Sequence, residues 1–181
     1  MLNDTVAAIA TPLKEGAVSI IRISGPDSFE VIRKISDIRK MEANTIVYGH
    51  IYEDGEMADE VLVSFFRGPR SFTGEDVVEI NCHGGIYLTR RILNIVLSCG
   101  VRNAEPGEFS KRAYLNGRID LSEAESINDL IRASGRFQAK SALRGLNGSV
   151  SKLLDPLMRE MRDVISMIDV NIDYPEYYDE K

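Results

Sequence analysis

A chain of 181 residues with 44% apolar content is long enough for one good core, or one core with a partner layer. A net charge of −6 argues against wrapping nucleic acid over the whole surface and leaves room for a local basic patch. Two cysteines, Cys82 and Cys99, and two histidines exclude a disulfide scaffold and make a poor metal inventory, so a reduced, cytoplasmic compartment is expected.

Thr5 to Ala10 reads as a short apolar strand, ended by Thr11-Pro12 and a loop to Gly16. Val18 to Ile23 follows as a β-branched strand stopped by Ser24-Gly-Pro26, with Arg22 as its one cation. Pro26 is placed in the first turn of a helix reaching about Ile35, whose inner face carries Phe29, Ile32 and Ile35. Thr45–Tyr52 and Glu60–Phe66 form an antiparallel hairpin about Glu53-Asp-Gly-Glu56. After a Gly-Pro and Thr-Gly loop comes a strand from Val77 to Asn81, with Val78 and Ile80 on one face and Val77, Glu79 and Asn81 on the other. A loop over Cys82–Gly85 then leads into a helix from Ile86 to Cys99, capped at Gly100. Val101–Ala104 is a last short strand, and a helix from Gly107 or Glu108 stops near Asn116-Gly117. This mixture predicts an α+β class.

From about Asp120 the composition turns helical. Asp120-Leu-Ser-Glu123 predicts a capping box, followed by Leu121, Ala124, Ile127, Leu130 and Ile131 at helical spacing. Gly135 and Gly145-Leu-Asn-Gly148 punctuate further helices. Pro156 predicts either a kink or a new helix with Asp155 as N-cap, carrying Met158, Met161, Ile165 and Ile168 and ending before Tyr174-Pro175. The tail Glu176–Lys181 is acidic and polar. One long amphipathic helix is left without partners, as in an unfinished bundle. No apolar run approaches the roughly 20 residues that span a bilayer, and Met1–Asp4 has no basic segment of the secretory kind.

Few side chains point to chemistry. Glu79 is either a carboxylate on a solvated strand face or an acceptor for a planar amidine-like edge, such as pterins and guanines present. His83-Gly-Gly85 is better read as a turn than as an oxyanion hole, because no Gly-x-Ser-x-Gly elbow accompanies it. Cys82 has no evident base to activate it. Arg22 and Arg118 are lone cations near turn-rich segments, either surface groups or partners for an anionic tail. Arg132, Arg136, Lys140 and Arg144 recur every four residues, as a solvated face or as contacts to a phosphate backbone. There is no P-loop, CxxC, HExxH or dinucleotide fingerprint. The residues alone describe an α+β ligand-binding domain followed by helices.

Three blocks carry a resemblance. They are Asp4-Thr-Val-Ala-Ala-Ile-Ala-Thr-Pro12 with Val18-Ser-Ile-Ile-Arg-Ile-Ser-Gly25, then Ser71-Phe-Thr-Gly-Glu-Asp-Val-Val-Glu-Ile-Asn-Cys-His-Gly-Gly85, then Pro106 through Glu125. In this order they resemble the tRNA-modification GTPases of the MnmE (TrmE) family, over about Asp4 to Pro175. The resemblance implies a folate-binding aminomethyltransferase-like domain over residues 1–118 that also forms a homodimer. Residues 119–181 would be the first part of a helical domain, stopping before an inserted Ras-like G domain. GTP, Mg²⁺ and K⁺ would then act only through that absent domain. Carried over by position, contacts to 5-formyl- or 5,10-methylene-tetrahydrofolate fall on Arg22, Glu79 and Arg118, the last often lysine in relatives. No catalytic residue and no metal ligand is assigned. The resemblance further implies partnership with the flavoprotein MnmG and with tRNA, to add an aminomethyl-type group at C5 of the wobble uridine. Two other readings stand beside it: a dimerisation and docking module that makes no use of folate, and a stand-alone folate-dependent aminomethyltransferase.

Overall fold

The computed structural model describes residues 4–174. The chain divides into two compact units, one up to Ile119 and one from Asp120. The first is built on a six-stranded sheet in the order β3-β4-β5-β2-β1-β6. Its strands are β1 (Val6–Ile9), β2 (Val18–Ser24), β3 (Thr45–Glu53), β4 (Glu56–Phe66), β5 (Val77–His83) and β6 (Arg102–Asn103). All pairings are antiparallel except β1 with β6. With its helices, α1 (Ser28–Ile35), α2 (Ile86–Ser98) and α3 (Glu108–Leu115), the unit has the expected α+β architecture.

The period-2 pattern decides which face of the sheet becomes core. Ile21 and Ile23 of β2, Val78 and Ile80 of β5, and Val61, Val63 and Phe65 of β4 all point to one side. There they meet Phe29, Val31 and Ile32 of α1 and Ile92, Ile95 and Val96 of α2 in a single buried cluster. Each such side chain contributes about 1.5–3 kcal/mol by leaving water. The opposite face carries Arg22, Glu79 and Asn81, so the core fixes where those polar groups lie.

Several boundaries differ from expectation. β5 runs two residues further, to His83, because Val18 and Ser19 continue the ladder opposite His83 and Cys82. Cys82 and His83 therefore belong to the sheet, and the loop begins at Gly84. β4 starts at Glu56, right after the Asp54-Gly55 turn, and a bulge at Ile51/Tyr52 absorbs the register change. α1 begins at Ser28, with Pro26 ahead of its Asp27 cap. Asp27 is held there by Thr5, whose Oγ1 donates to the carboxylate at 3.1 Å and accepts from the Asp27 N–H at 2.9 Å.

In the second unit the capping box forms as predicted. Glu123 N–H donates to Asp120 Oδ1 and Asp120 N–H to Glu123 Oε2, both at 2.8 Å, opening α4 (Leu121–Arg132). α5 (Arg136–Leu146) starts after Gly135 and packs back on α4, where a Cβ on Gly145 would strike Ser126 Oγ. α6 (Ser149–Asp173) is one helix with Pro156 inside it, so the alternative of a new helix capped by Asp155 is not realised. Proline there removes only one N–H, and the bond it forfeits would have ended on Lys152, an exposed residue whose carbonyl water can serve. Leu157, Met161, Ile165 and Ile168 on α6 are exposed. The acidic tail 176–181 lies outside the described residues.

Candidate functional site

Arg22 and Glu79 stand directly opposite each other on β2 and β5. Arg22 Nε and Nη2 both reach Glu79 Oε1, at 2.8 and 2.7 Å. Oε2 accepts nothing from the described residues, so half of the carboxylate is available to a ligand. The two side chains are only 24% and 21% exposed, so neither is the freely solvated group of an ordinary strand face. The Arg22 guanidinium also lies 5.0 Å from the Phe72 ring centroid and 5.5 Å from that of Phe109. The result is a cation and a carboxylate walled by two aromatic rings, which suits a flat, polar heterocycle.

The loop over residues 71–76 connects this pair to Arg118. Arg118 Nε donates to the Ser71 carbonyl at 3.1 Å. Its stem passes over Gly74, where a Cβ would come within 3.0 Å of Arg118 Cγ, and Gly74 has φ +80°. Asn116 Nδ2 donates to the Thr73 carbonyl at 2.8 Å. Arg22 touches this loop through Phe72 and Arg118 through Ser71, while Glu79 is joined to it through Arg22.

A buried ion-pair network holds that loop. Arg112, whose side chain is 0% exposed, donates to both Glu75 oxygens at 3.2 Å, to Asp4 Oδ1 at 2.7 Å and to Glu108 Oε1 at 3.0 Å. Glu75 Oε2 further accepts from Ser24 Oγ at 2.7 Å, and Ser24 Oγ lies 2.7 Å from Thr73 Oγ1. Arg102 brackets Glu108 from outside at 2.6 Å. That contact, opposed by burial and helped by the Glu105 N–H and Arg112, draws the Glu108 carboxyl down to about 2. The Asp4 carboxyl is lowered too, by its hydrogen bond from Arg102, against burial and with help from Arg112. Burial works against the Arg112 charge, but Glu108, Asp4 and Glu75 more than offset it and its pKa is raised.

Sequence reasoning missed Phe72, Phe109 and Arg112. Phe72 had a signal, an aromatic residue within the polar Ser71–Gly74 turn. Arg112 had none, because a cation between Lys111 and Ala113 in a short helix reads as surface.

The remaining candidates separate from this site. The Cys82 thiol is buried, donates weakly to the Ser19 carbonyl at 3.5 Å, and is pushed up to about 11 by burial and by Asp59. It is no nucleophile near neutrality. His83 is held by Asp59, which accepts from its N–H at 2.9 Å and lies 2.7 Å from Nδ1, and the bond raises the histidine pKa. A groove of about 580 Å³ is lined by Val18, Ile46, Tyr48, Leu62, Asn81 and His83 among others, and by none of Arg22, Glu79 or Arg118. Of its lining residues, Ser64 lies opposite Glu79 and Asn81 follows on the same face of β5. No group of three or more His, Cys, Asp or Glu side chains among the described residues could hold a metal ion. No helix among them is long and apolar enough to cross a membrane.

The sequence matches two family models. Residues 5–118 match "GTP-binding protein TrmE N-terminus", and residues 121–181 match "MnmE helical domain". Relatives named tRNA modification GTPase MnmE include one from Lactococcus lactis subsp. cremoris, 50% identical over 179 residues. Others are from Listeria welshimeri, 51% over 180 residues, and Levilactobacillus brevis, 52% over 181. In each case 97% of this chain is matched, and it spans 39% of the relative's length. With an N-terminal match over most of the first unit and a helical-domain match over the second, the chain belongs to the MnmE (TrmE) family of tRNA modification GTPases.

Proposed function

We propose that this chain is the folate-binding and dimerising part of an MnmE-type enzyme, with the first part of its helical domain. Within that enzyme it would work with the flavoprotein MnmG on tRNA in the cytoplasm, to place an aminomethyl or carboxymethylaminomethyl group at C5 of the wobble uridine. The observation that carries the reading is the Arg22–Glu79 pair, with one carboxylate oxygen unengaged and Phe72 and Phe109 as walls. Glu79 would accept one N–H of a pterin's amidine edge at its open Oε2, and the parallel one at Oε1 once Arg22 turns from Glu79 to the ligand's oxygens. Arg22 and Arg118 would hold the carbonyl or carboxylate oxygens of 5-formyl- or 5,10-methylene-tetrahydrofolate, Arg118 as a bidentate fork where relatives often have lysine. The bound folate supplies the one-carbon unit. GTP hydrolysis with Mg²⁺ and K⁺ belongs to the remainder of such a protein, since this sequence has no P-loop.

Homodimerisation is supported by the groove beside the site. Val18, Ile46 and Tyr48 are each at least 60% exposed on that face, an apolar surface of the kind that partners cover. This face also favours a second reading, a dimerisation and docking module that uses no folate. Calorimetry with 5-formyl-tetrahydrofolate decides between them. Micromolar binding that falls at least about tenfold in Glu79→Gln is expected, since a bidentate charged acceptor is lost. A folded dimer that takes up no folate would leave only the docking module.

A further inference from the structure

The second unit carries a charge pattern that the folate reading does not use. From Leu130 to Leu154 the sequence has no aspartate or glutamate, in a chain with 28 of them, while Arg132, Arg136, Lys140, Arg144 and Lys152 all fall within it. The structure sorts these cations. Arg132 ends α4, and Lys152 lies on α6 with its ammonium donating to the Asn147 carbonyl at 3.0 Å. Arg136, Lys140 and Arg144 share α5, are exposed, and have no ion pair among the described residues.

Successive helical residues turn by about 100°, which puts Leu143, Arg136, Lys140, Arg144 and Phe137 in one arc of about 120°. Along that arc the cations repeat at a rise of about 6 Å. Phe137 is 86% exposed beside them and Leu143 is 47% exposed. On the opposite side of α5, Ala142 is buried and Gly145 lies against Ser126 of α4.

We propose that this face of α5 binds RNA, the three cations along the sugar-phosphate backbone and Phe137 stacked on an unpaired base. Charge complementarity calls for a polyanion: three exposed cations in a row, with no aspartate or glutamate from Leu130 to Leu154, make a positive stripe whose counterions a polyanion displaces. A membrane surface would need a continuous apolar face, whereas Phe137 and Leu143 lie at opposite edges of the arc with the three cations between them, and Ala142 is buried on the α4 side. An exposed aromatic beside a row of cations is the arrangement that single-stranded nucleic acid uses. The inference rests on the tRNA-modification reading, which makes tRNA the natural occupant.

Fluorescence anisotropy with a transcribed tRNA, across a salt series, tests it on the full chain. The variant Arg136→Gln/Lys140→Gln/Arg144→Gln is expected to bind at least about tenfold more weakly, with the slope of log K against log salt reduced by about 2. Phe137→Ala is expected to weaken binding of a single-stranded oligonucleotide about fivefold or more and to leave a blunt RNA duplex unaffected. Folate calorimetry on the same samples shows that the first unit is intact. If the triple variant binds folate and still binds tRNA as the unaltered chain does, the inference falls and the folate reading stands. If α5 binds tRNA but the chain takes up no folate, the reverse holds. Binding to phosphatidylserine vesicles without binding to RNA overturns the assignment to nucleic acid.

Discussion

Arg112 and Glu108 show how single residues set the conditions under which the site exists. A fully buried guanidinium is stable only while its carboxylates stay ionised, and removing one partner of such a pair costs about 3–5 kcal/mol. Glu108 sits at about 2, below its ordinary 4.5, so between those values the unfolded chain binds a proton that the folded chain refuses. Its contribution is therefore whole above about pH 4.5 and is lost as the pH falls toward 2, up to about 3 kcal/mol in all. The melting temperature should drop through that window, and Glu108→Gln should lower it at pH 7 while flattening the acid slope. Asp4, also lowered, keeps part of the slope in the variant. Thermal melts by circular dichroism from pH 2 to 7 check this, and an unchanged acid slope in Glu108→Gln would contradict it. The Arg22–Glu79 pair is the opposite case. Partly exposed pairs of this kind contribute only about 0–1 kcal/mol, so its loss should be felt in binding far more than in stability.

At the scale of elements, the strand–loop–helix from Val77 to Ser98 depends on one close approach. Gly84 N–H donates to the Ala17 carbonyl at 3.0 Å, and a Cβ on Gly84 would strike the Gly16 carbonyl. Gly84→Ala must push the turn before β2 away from β5, so a loss of about 1–3 kcal/mol is expected. Urea denaturation measures it, and a loss below about 0.5 kcal/mol would show that the turn yields freely. The glycines of His83-Gly-Gly85 were legible in the sequence as shapers of a turn, and the structure gives Gly84 that role. The lengths of β4 and β5 were less legible. Both extend past the predicted runs because a strand ends where its neighbour stops pairing, and single-strand patterning carries no information about the neighbour. Pro156 is a related case, since a local breaker proved too weak to end a helix of 25 residues.

For the whole molecule, the two units differ sharply in core. Almost every buried apolar side chain lies before Ile119, and among the described residues after it only Ala142 joins them. Residues 1–119 expressed alone should unfold cooperatively within a few degrees of the full chain. Residues 120–181 alone should keep partial helicity but melt broadly, because so little burial cannot offset chain entropy. Differential scanning calorimetry of both pieces tests this, and a sharp endotherm from the helical piece would refute it. Alternating β-branched runs, the Asp54-Gly55 turn, the Asp120–Glu123 box and the motif blocks determined the class, most elements and the family from the sequence by itself, because all of these are local patterns. Only the tertiary structure decided that Glu79 and Arg22 meet in register, that Phe72 and Phe109 wall them, and that Arg112 is buried beneath the loop Arg118 grips. Those facts depend on contacts between residues 22, 79, 72 and 109, far apart in the chain and joined only when strand pairing and helix packing fix where each backbone lies.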